Sequence, residues 1–178
     1  LFFASYSPLT AGKLTFSKDN ALALFHGPIV LDEVDNLLSL LMDKKPKIIL
    51  LDSVGGNISG ALQFAKHVRK NKMDTWISED STCASACALV FLAGIQRTCE
   101  GKLLVHQYLP AIEYENKKIR TDVAWISIQK VIGETIILLN SLDTPRFVFE
   151  RIFASPNIYE FTEAELLKVF TVVRLDKI

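Results

Sequence analysis

Three short stretches between Asp52 and His106 carry residue types that could do chemistry. The first, Asp52-Ser53-Val54-Gly55-Gly56-Asn57, follows the apolar run Ile48-Ile49-Leu50-Leu51. Paired glycines after a strand open backbone dihedrals closed to other residues and let N–H groups approach a ligand with no Cβ in the way. Such a turn can bind an anion. The second, Cys83-Ala84-Ser85-Ala86-Cys87, leads into the apolar pattern Ala88-Leu89-Val90-Phe91-Leu92-Ala93 and stops at Gly94. A serine flanked by alanines where a strand or loop feeds a helix has an uncrowded hydroxyl near a positive helix end, a seat for a nucleophile. The third, Leu103-Leu104-Val105-His106-Gln107, reads as an apolar strand ending on an imidazole, the side chain best suited to take a proton from serine near neutral pH. For that transfer His106 must come within about 3 Å of Ser85. Each residue also has an ordinary use, since serine caps helices, paired glycines make tight turns and a lone histidine can sit satisfied in a core.

Together the pieces resemble the Clp-type serine peptidases and, more broadly, the Clp/crotonase superfamily. The matching residues are Ser53-Val54-Gly55-Gly56, Ala84-Ser85-Ala86, Ala93-Gly94 and Val105-His106-Gln107. Cys83-x-Ser85-Ala86-Cys87 with a later Gly94-x-x-Arg97 looks closer still to a less-characterised set of Clp-like periplasmic proteins of bacteria. The resemblance runs from about Ala21 to Thr171. It implies an α/β fold of repeated ββα units, with a mainly parallel sheet and a projecting C-terminal helical region. It further implies an acyl-enzyme at Ser85 with His106 as general base, and an oxyanion hole made by the backbone N–H groups of Gly56 and Ala86. Gly55 and Asn57 would border an extended peptide substrate added as a strand beside the glycine turn.

Two positions depart from that pattern. Val54 stands where the peptidases usually carry proline, which leaves the turn less rigid. The peptidases also place an aspartate a few residues before the last Ser/Thr-capped helix, yet Thr144 to Leu175 contains no Asp. Asn157, the nearest match, could hold the imidazole tautomer through its amide oxygen, but it would stabilise an imidazolium less than a carboxylate does. Two functions follow from this: a serine hydrolase, most simply a peptidase, or a catalytically weak or inactive Clp-fold binding or scaffold protein that self-assembles. A crotonase-type acyl-CoA enzyme fits less well, because Asp52 is the one nearby carboxylate.

The rest of the chain bounds these readings. At 178 residues it has the length of one domain, expected over 1–178. Lys plus Arg balance Asp plus Glu at 20 each, so no net field draws it to nucleic acid. No run reaches the roughly 18 apolar residues of a membrane span, and neither a cofactor nor a metal is expected from the His and Cys spacings. The chain starts without Met on Leu1-Phe2-Phe3-Ala4. Residues 1–12 are therefore read as the remnant of an upstream signal or anchor region. Cys83, Cys87 and Cys99 allow one disulfide and one leftover thiol, which points to a periplasmic or otherwise exported protein; three buried reduced thiols in the cytoplasm are the alternative.

The elements expected to position the site follow from periodicity. Leu14-Thr15-Phe16 and Ala21 to Phe25 predict a hairpin, Leu31 to Met42 a helix, Lys47 to Asp52 a strand covered on both faces, and Ser59 to Asn71 a helix. A short strand over 75–78 follows, then an all-apolar helix over 86–93 running through the core, and one or two strands from Arg97 to His106. The long apolar pattern from Thr121 to Leu142, within a handle-type segment at 117–142, offers more apolar surface than one domain needs. By resemblance it packs against a neighbouring subunit; otherwise it folds back on its own domain. Asp143-Thr144-Pro145 reads as a cap with Pro at the first helical position, Asn157 to Phe161 as a short strand, and Thr162-Glu163-Ala164-Glu165 as a capping box. His26 and His67 have no companions in the sequence, and His67 reads as a surface residue.

Overall fold

A computed structural model describes residues 11–108, 113–114, 117–118 and 120–170. Residues 1–10, most of the segment read as an upstream remnant, and parts of the charged patch at 113–118 lie outside the described residues. The described chain is a mixed α/β structure with a mostly parallel sheet and six α-helices. Its strands are β1 (Lys13–Phe16), β2 (Leu22–His26), β3 (Ile48–Asp52), β4 (Asp74–Ile77), β5 (Thr82–Ala84), β6 (Arg97–Cys99), β7 (Lys102–Val105), β8 (Glu113–Tyr114), β9 (Lys117–Lys118) and β10 (Tyr159–Glu160). Its helices are α1 (Val34–Lys44), α2 (Ile58–Lys70), α3 (Cys87–Leu92), α4 (Thr121–Ser141), α5 (Arg146–Phe153) and α6 (Glu163–Val169).

The larger sheet runs β1-β2-β3-β4-β6, parallel except for the edge hairpin β1-β2. β3 lacks the alternation of a half-exposed strand because it lies centrally, and Ile49 and Leu51 are fully buried. A smaller sheet, β10-β7-β5, has β5 and β7 parallel and β10 antiparallel to β7. Arg97 to His106 thus forms two strands that serve different sheets. Where β3 ends, the chain crosses over: Ser53 bridges to Cys83, its N–H donating to Thr82 O at 2.7 Å and its carbonyl accepting from Ala84 N–H at 2.8 Å. This crossover brings the glycine turn beside the end of β5.

α3 is buried along its whole length, as its uninterrupted apolar sequence requires. α4 packs against α2 and α3 through Ala124, Ile128, Thr135, Leu138 and Leu139, while Val123, Trp125, Ile126, Ile136 and Ile137 stay exposed. It therefore folds back on its own domain and also keeps an apolar outer face. Other expectations shift slightly. A 3-10 turn over Leu31–Glu33 precedes α1, and Lys45 in the left-handed conformation ends it. Pro145 is the residue before α5, not its first helical residue, and neither Asp143 nor Thr144 caps the helix. Thr144 Oγ1 is buried without a hydrogen-bond partner among the described residues.

The capping box at Thr162 forms in full and does more than cap α6. Glu165 accepts hydrogen bonds from Thr162 N–H at 3.0 Å, Tyr159 Oη at 2.7 Å and Arg151 Nε at 3.0 Å, tying together α6, β10 and α5. Burial alone would raise the pKa of its carboxyl group, but the hydrogen bonds from Thr162, Tyr159 and Arg151 outweigh it and hold the value at about 2 against an ordinary 4.5. A carboxyl with a depressed folded-state pKa stabilises the fold above its unfolded value, and that stabilisation disappears as the group protonates. Glu165 should therefore lend stability that is complete above about 4.5 and lost as pH falls toward about 2. Urea denaturation across this range should show a steeper acid loss for wild type than for Glu165→Gln.

Candidate active site

The register of the small sheet sets the geometry. Ala84 pairs with Leu104, and one step further Ser85 N–H donates to Leu104 O at 2.9 Å. Ser85 and His106 therefore stand just past the carboxyl ends of neighbouring parallel strands, His106 one residue beyond the position opposite Ser85. Both are half-buried. Ser85 has a φ of +55°, the left-handed region that a non-glycine residue seldom enters. The residue ends β5 abruptly, and its carbonyl accepts Ala88 N–H at 3.0 Å as α3 starts.

Gly55 packs against this turn. Its φ is +92°, and its N–H donates to the buried Ser53 Oγ at 3.1 Å. A methyl group added to Gly55 would lie 2.6 Å from Ala84 O, 2.8 Å from Ser85 Cβ and 2.9 Å from Ala86 N. Only glycine fits a backbone pressed so closely onto its neighbour. Gly56, with φ +135°, bridges to Ile29: Ile29 N–H donates to Gly55 O at 2.7 Å, and Asn57 N–H donates to Ile29 O at 2.8 Å. In a parallel bridge the central residue turns its own N–H to the other side. Accordingly, the Gly56 N–H donates to no described residue, and the Ala86 N–H, outside any bridge, also donates to none. Two free amides stand on adjoining turns, one of them directly following Ser85.

The imidazole of His106 is held by main chain. Its Nδ1 lies 2.8 Å from Gln107 O, and since a carbonyl can only accept, Nδ1 carries the proton. Nε2 then holds the lone pair, the form a general base needs. Gln107 is itself anchored, its N–H donating to Ser155 O at 2.8 Å. No hydrogen bond joins Ser85 Oγ to the His106 ring in this structure, and Ser85 Oγ has no partner among the described residues. Asn157 lies two residues beyond Ser155, but its side chain is exposed and is not the group that pairs with His106 Nδ1. The orienting acceptor is a backbone carbonyl, which no search for an acidic or amide side chain could find.

Asn57 takes a structural post as well. Its Oδ1 accepts Gly60 N–H at 2.9 Å and caps α2 at the exposed edge of the glycine turn. Cys83 and Cys87 form a disulfide across Ser85, while Cys99 is a free, buried thiol whose pKa burial pushes up to about 12, with the Glu100 charge adding to the effect. Arg97 reaches back to Leu92 O at the end of α3 at 3.3 Å and lies over the Phe170 ring, so it braces that helix.

Two histidines differ from their sequence reading. His26 pairs with Asp52 at 2.8 Å across β2 and β3, and Asp52 also accepts Thr82 N–H at 3.1 Å. The register His26↔Asp52 makes the pair, and no local pattern announces it. His67 is half-buried, with Nε2 unpartnered, and desolvation followed by the nearby Lys70 charge lowers its pKa. Among the described residues no cluster of His, Cys, Asp or Glu could hold a metal ion, and no helix is long and apolar enough to cross a membrane.

The chain matches no protein-family model and has no significant match among curated proteins. The interlocked turns make their own test. Gly55→Ala combines a left-handed strain of about 1–2 kcal/mol with overpacking of about 1–3 kcal/mol. Urea denaturation should show a loss of about 3 kcal/mol, whereas a neutral result would mean that the two turns do not press together.

Proposed function

We propose that this chain is a serine hydrolase of the Clp/crotonase type, acting as a peptidase through an acyl-enzyme at Ser85. The observation that carries the reading is the pair of free amides, Gly56 and Ala86, flanking a serine held in the left-handed conformation. Ala86 is fully buried, and buried polar groups in proteins are almost always paired, so its unpaired N–H beside a hydroxyl suits a charge that arrives only during reaction; the Gly56 amide, at the exposed edge of the glycine turn, is open to the same incoming oxygen.

Ser85 Oγ attacks the acyl carbon as His106 Nε2 takes its proton, and the oxygen that becomes negative is received by the two amides. The imidazolium returns the proton to the leaving amine; water, activated by the same nitrogen, releases the acyl group. The Gln107 carbonyl holds the tautomer but carries no full charge, so it stabilises imidazolium less than a carboxylate would. A slow enzyme working as a Ser-His dyad follows, and Asn157 is left at most a subsidiary part.

The same reading includes self-assembly through the outer face of α4, where Trp125, Ile126 and Ile137 are exposed. It also includes a periplasmic or otherwise exported location, since the Cys83–Cys87 bond belongs to an oxidising compartment. One observation favours a second reading, a binding or scaffold protein without turnover: Ser85 and His106 share no hydrogen bond. A fluorophosphonate probe separates the two. The hydrolase reading predicts labelling of wild type, none of Ser85→Ala, and labelling of His106→Ala slowed about 100- to 10,000-fold. Folded wild type that stays unlabelled would favour the scaffold.

A further inference from the structure

The residue that carries the hydroxyl is also the one with φ +55°. Glycine would adopt that conformation at no steric cost, but it has no hydroxyl, so the restraint has to come from the surroundings. Upstream of Ser85 the restraint is main-chain hydrogen bonding: Ala84 N–H to Ser53 O at 2.8 Å and Ser85 N–H to Leu104 O at 2.9 Å. Downstream it is thinner: Ser85 O accepts Ala88 N–H at 3.0 Å and Ala86 O accepts Leu89 N–H at 3.2 Å, but Ala86 N–H donates to no described residue. If Ala86 N–H is to receive an oxyanion it has to stay unpaired, so the link from strand to helix lacks a main-chain restraint at that amide.

The Cys83–Cys87 bond spans this link. It closes a ring through Ala84, Ser85 and Ala86, joining the middle of β5 to the first residue of α3. Both cysteines are 0% exposed. Cys83 is also held from both sides in the sheet, by its bridge to Ser53 and its pairing with Leu103. We infer that the Cys83–Cys87 disulfide is a positioning element of the hydrolytic site: it holds Ser85 in the left-handed conformation so that the Ala86 amide can remain free. This rests on the hydrolase reading given above. Its burial keeps solvent thiols away, which makes it a permanent brace and not a redox switch.

The test is the Cys83→Ala/Cys87→Ala chain, which loses the bond without leaving an odd thiol. Two measurements apply: the fluorophosphonate inactivation rate, separated into its reversible-binding and bond-forming parts, and the Ser85 backbone in a crystal structure. The inference predicts a folded chain with Ser85 outside the left-handed region. Bond formation should be about 100-fold slower, as expected for a nucleophile displaced by about 1 Å, with reversible binding little changed. Retention of Ser85 near its present φ together with wild-type labelling would overturn it. If the double-alanine chain does not fold, Cys83→Val/Cys87→Ala restores much of the lost volume, and failure of both to fold would also overturn the positioning role in favour of a purely structural one. Wild type that never labels defeats the hydrolase reading instead, and the Ser85 backbone in the double variant still decides whether the bond braces the turn.

Discussion

The close approach of Gly55 to Ser85 is the constraint on which the candidate site depends. Two turns with positive φ, from strands far apart in sequence, meet with no room for a methyl group between them. Each is anchored from behind: the first by Ser53 Oγ accepting Gly55 N–H, the second by Leu104 O accepting Ser85 N–H. Ser53 also links the ends of β3 and β5, so one short segment sets both the height of the glycine turn and its distance from the serine. Loosening either turn would release the two free amides from their common neighbourhood. Such amides gain interaction energy with a developing charge only if they are already in place when it forms.

The outer elements supply the rigidity. α3, buried on all sides, cannot shift without opening the core, and Arg97 braces its end. On the opposite flank, β10 pairs with β7, the strand that delivers His106, and Glu165 binds β10, α5 and α6 into one unit. Tyr108, two residues past the imidazole, packs edge-on against Phe153 and is buried. The imidazole thus sits on a strand end held on both sides, while among the described residues its ring hydrogen-bonds only to a neighbouring carbonyl. This combination pairs a well-fixed backbone with a modest electrostatic push on the imidazole.

Much of this was legible in the residues themselves. The glycine pair, the alanine-flanked serine and the strand-ending histidine each announced a local geometry, whereas the division of their strands between two sheets, β3 in one and β5 and β7 in the other, did not show in the residues. The capping box at Thr162 was readable because its partners are three residues apart. What escaped were contacts set by register and main chain. His26 meets Asp52 because β2 lies beside β3, and His106 finds Gln107 O, a group every residue possesses. The cysteine pairing was open because three thiols permit three pairings. Pro145 misled by one position: its fixed φ suits the first helical residue, but here its backbone stays extended, with ψ 145°, and precedes the helix.

A crystal structure of the chain after reaction with a fluorophosphonate bears most directly on the central claim. The account predicts phosphorus bonded to Ser85 Oγ, with the phosphoryl oxygen within about 3 Å of both the Gly56 and Ala86 nitrogens. An adduct on another residue, or a phosphoryl oxygen facing solvent while those two amides bind protein acceptors, would contradict it.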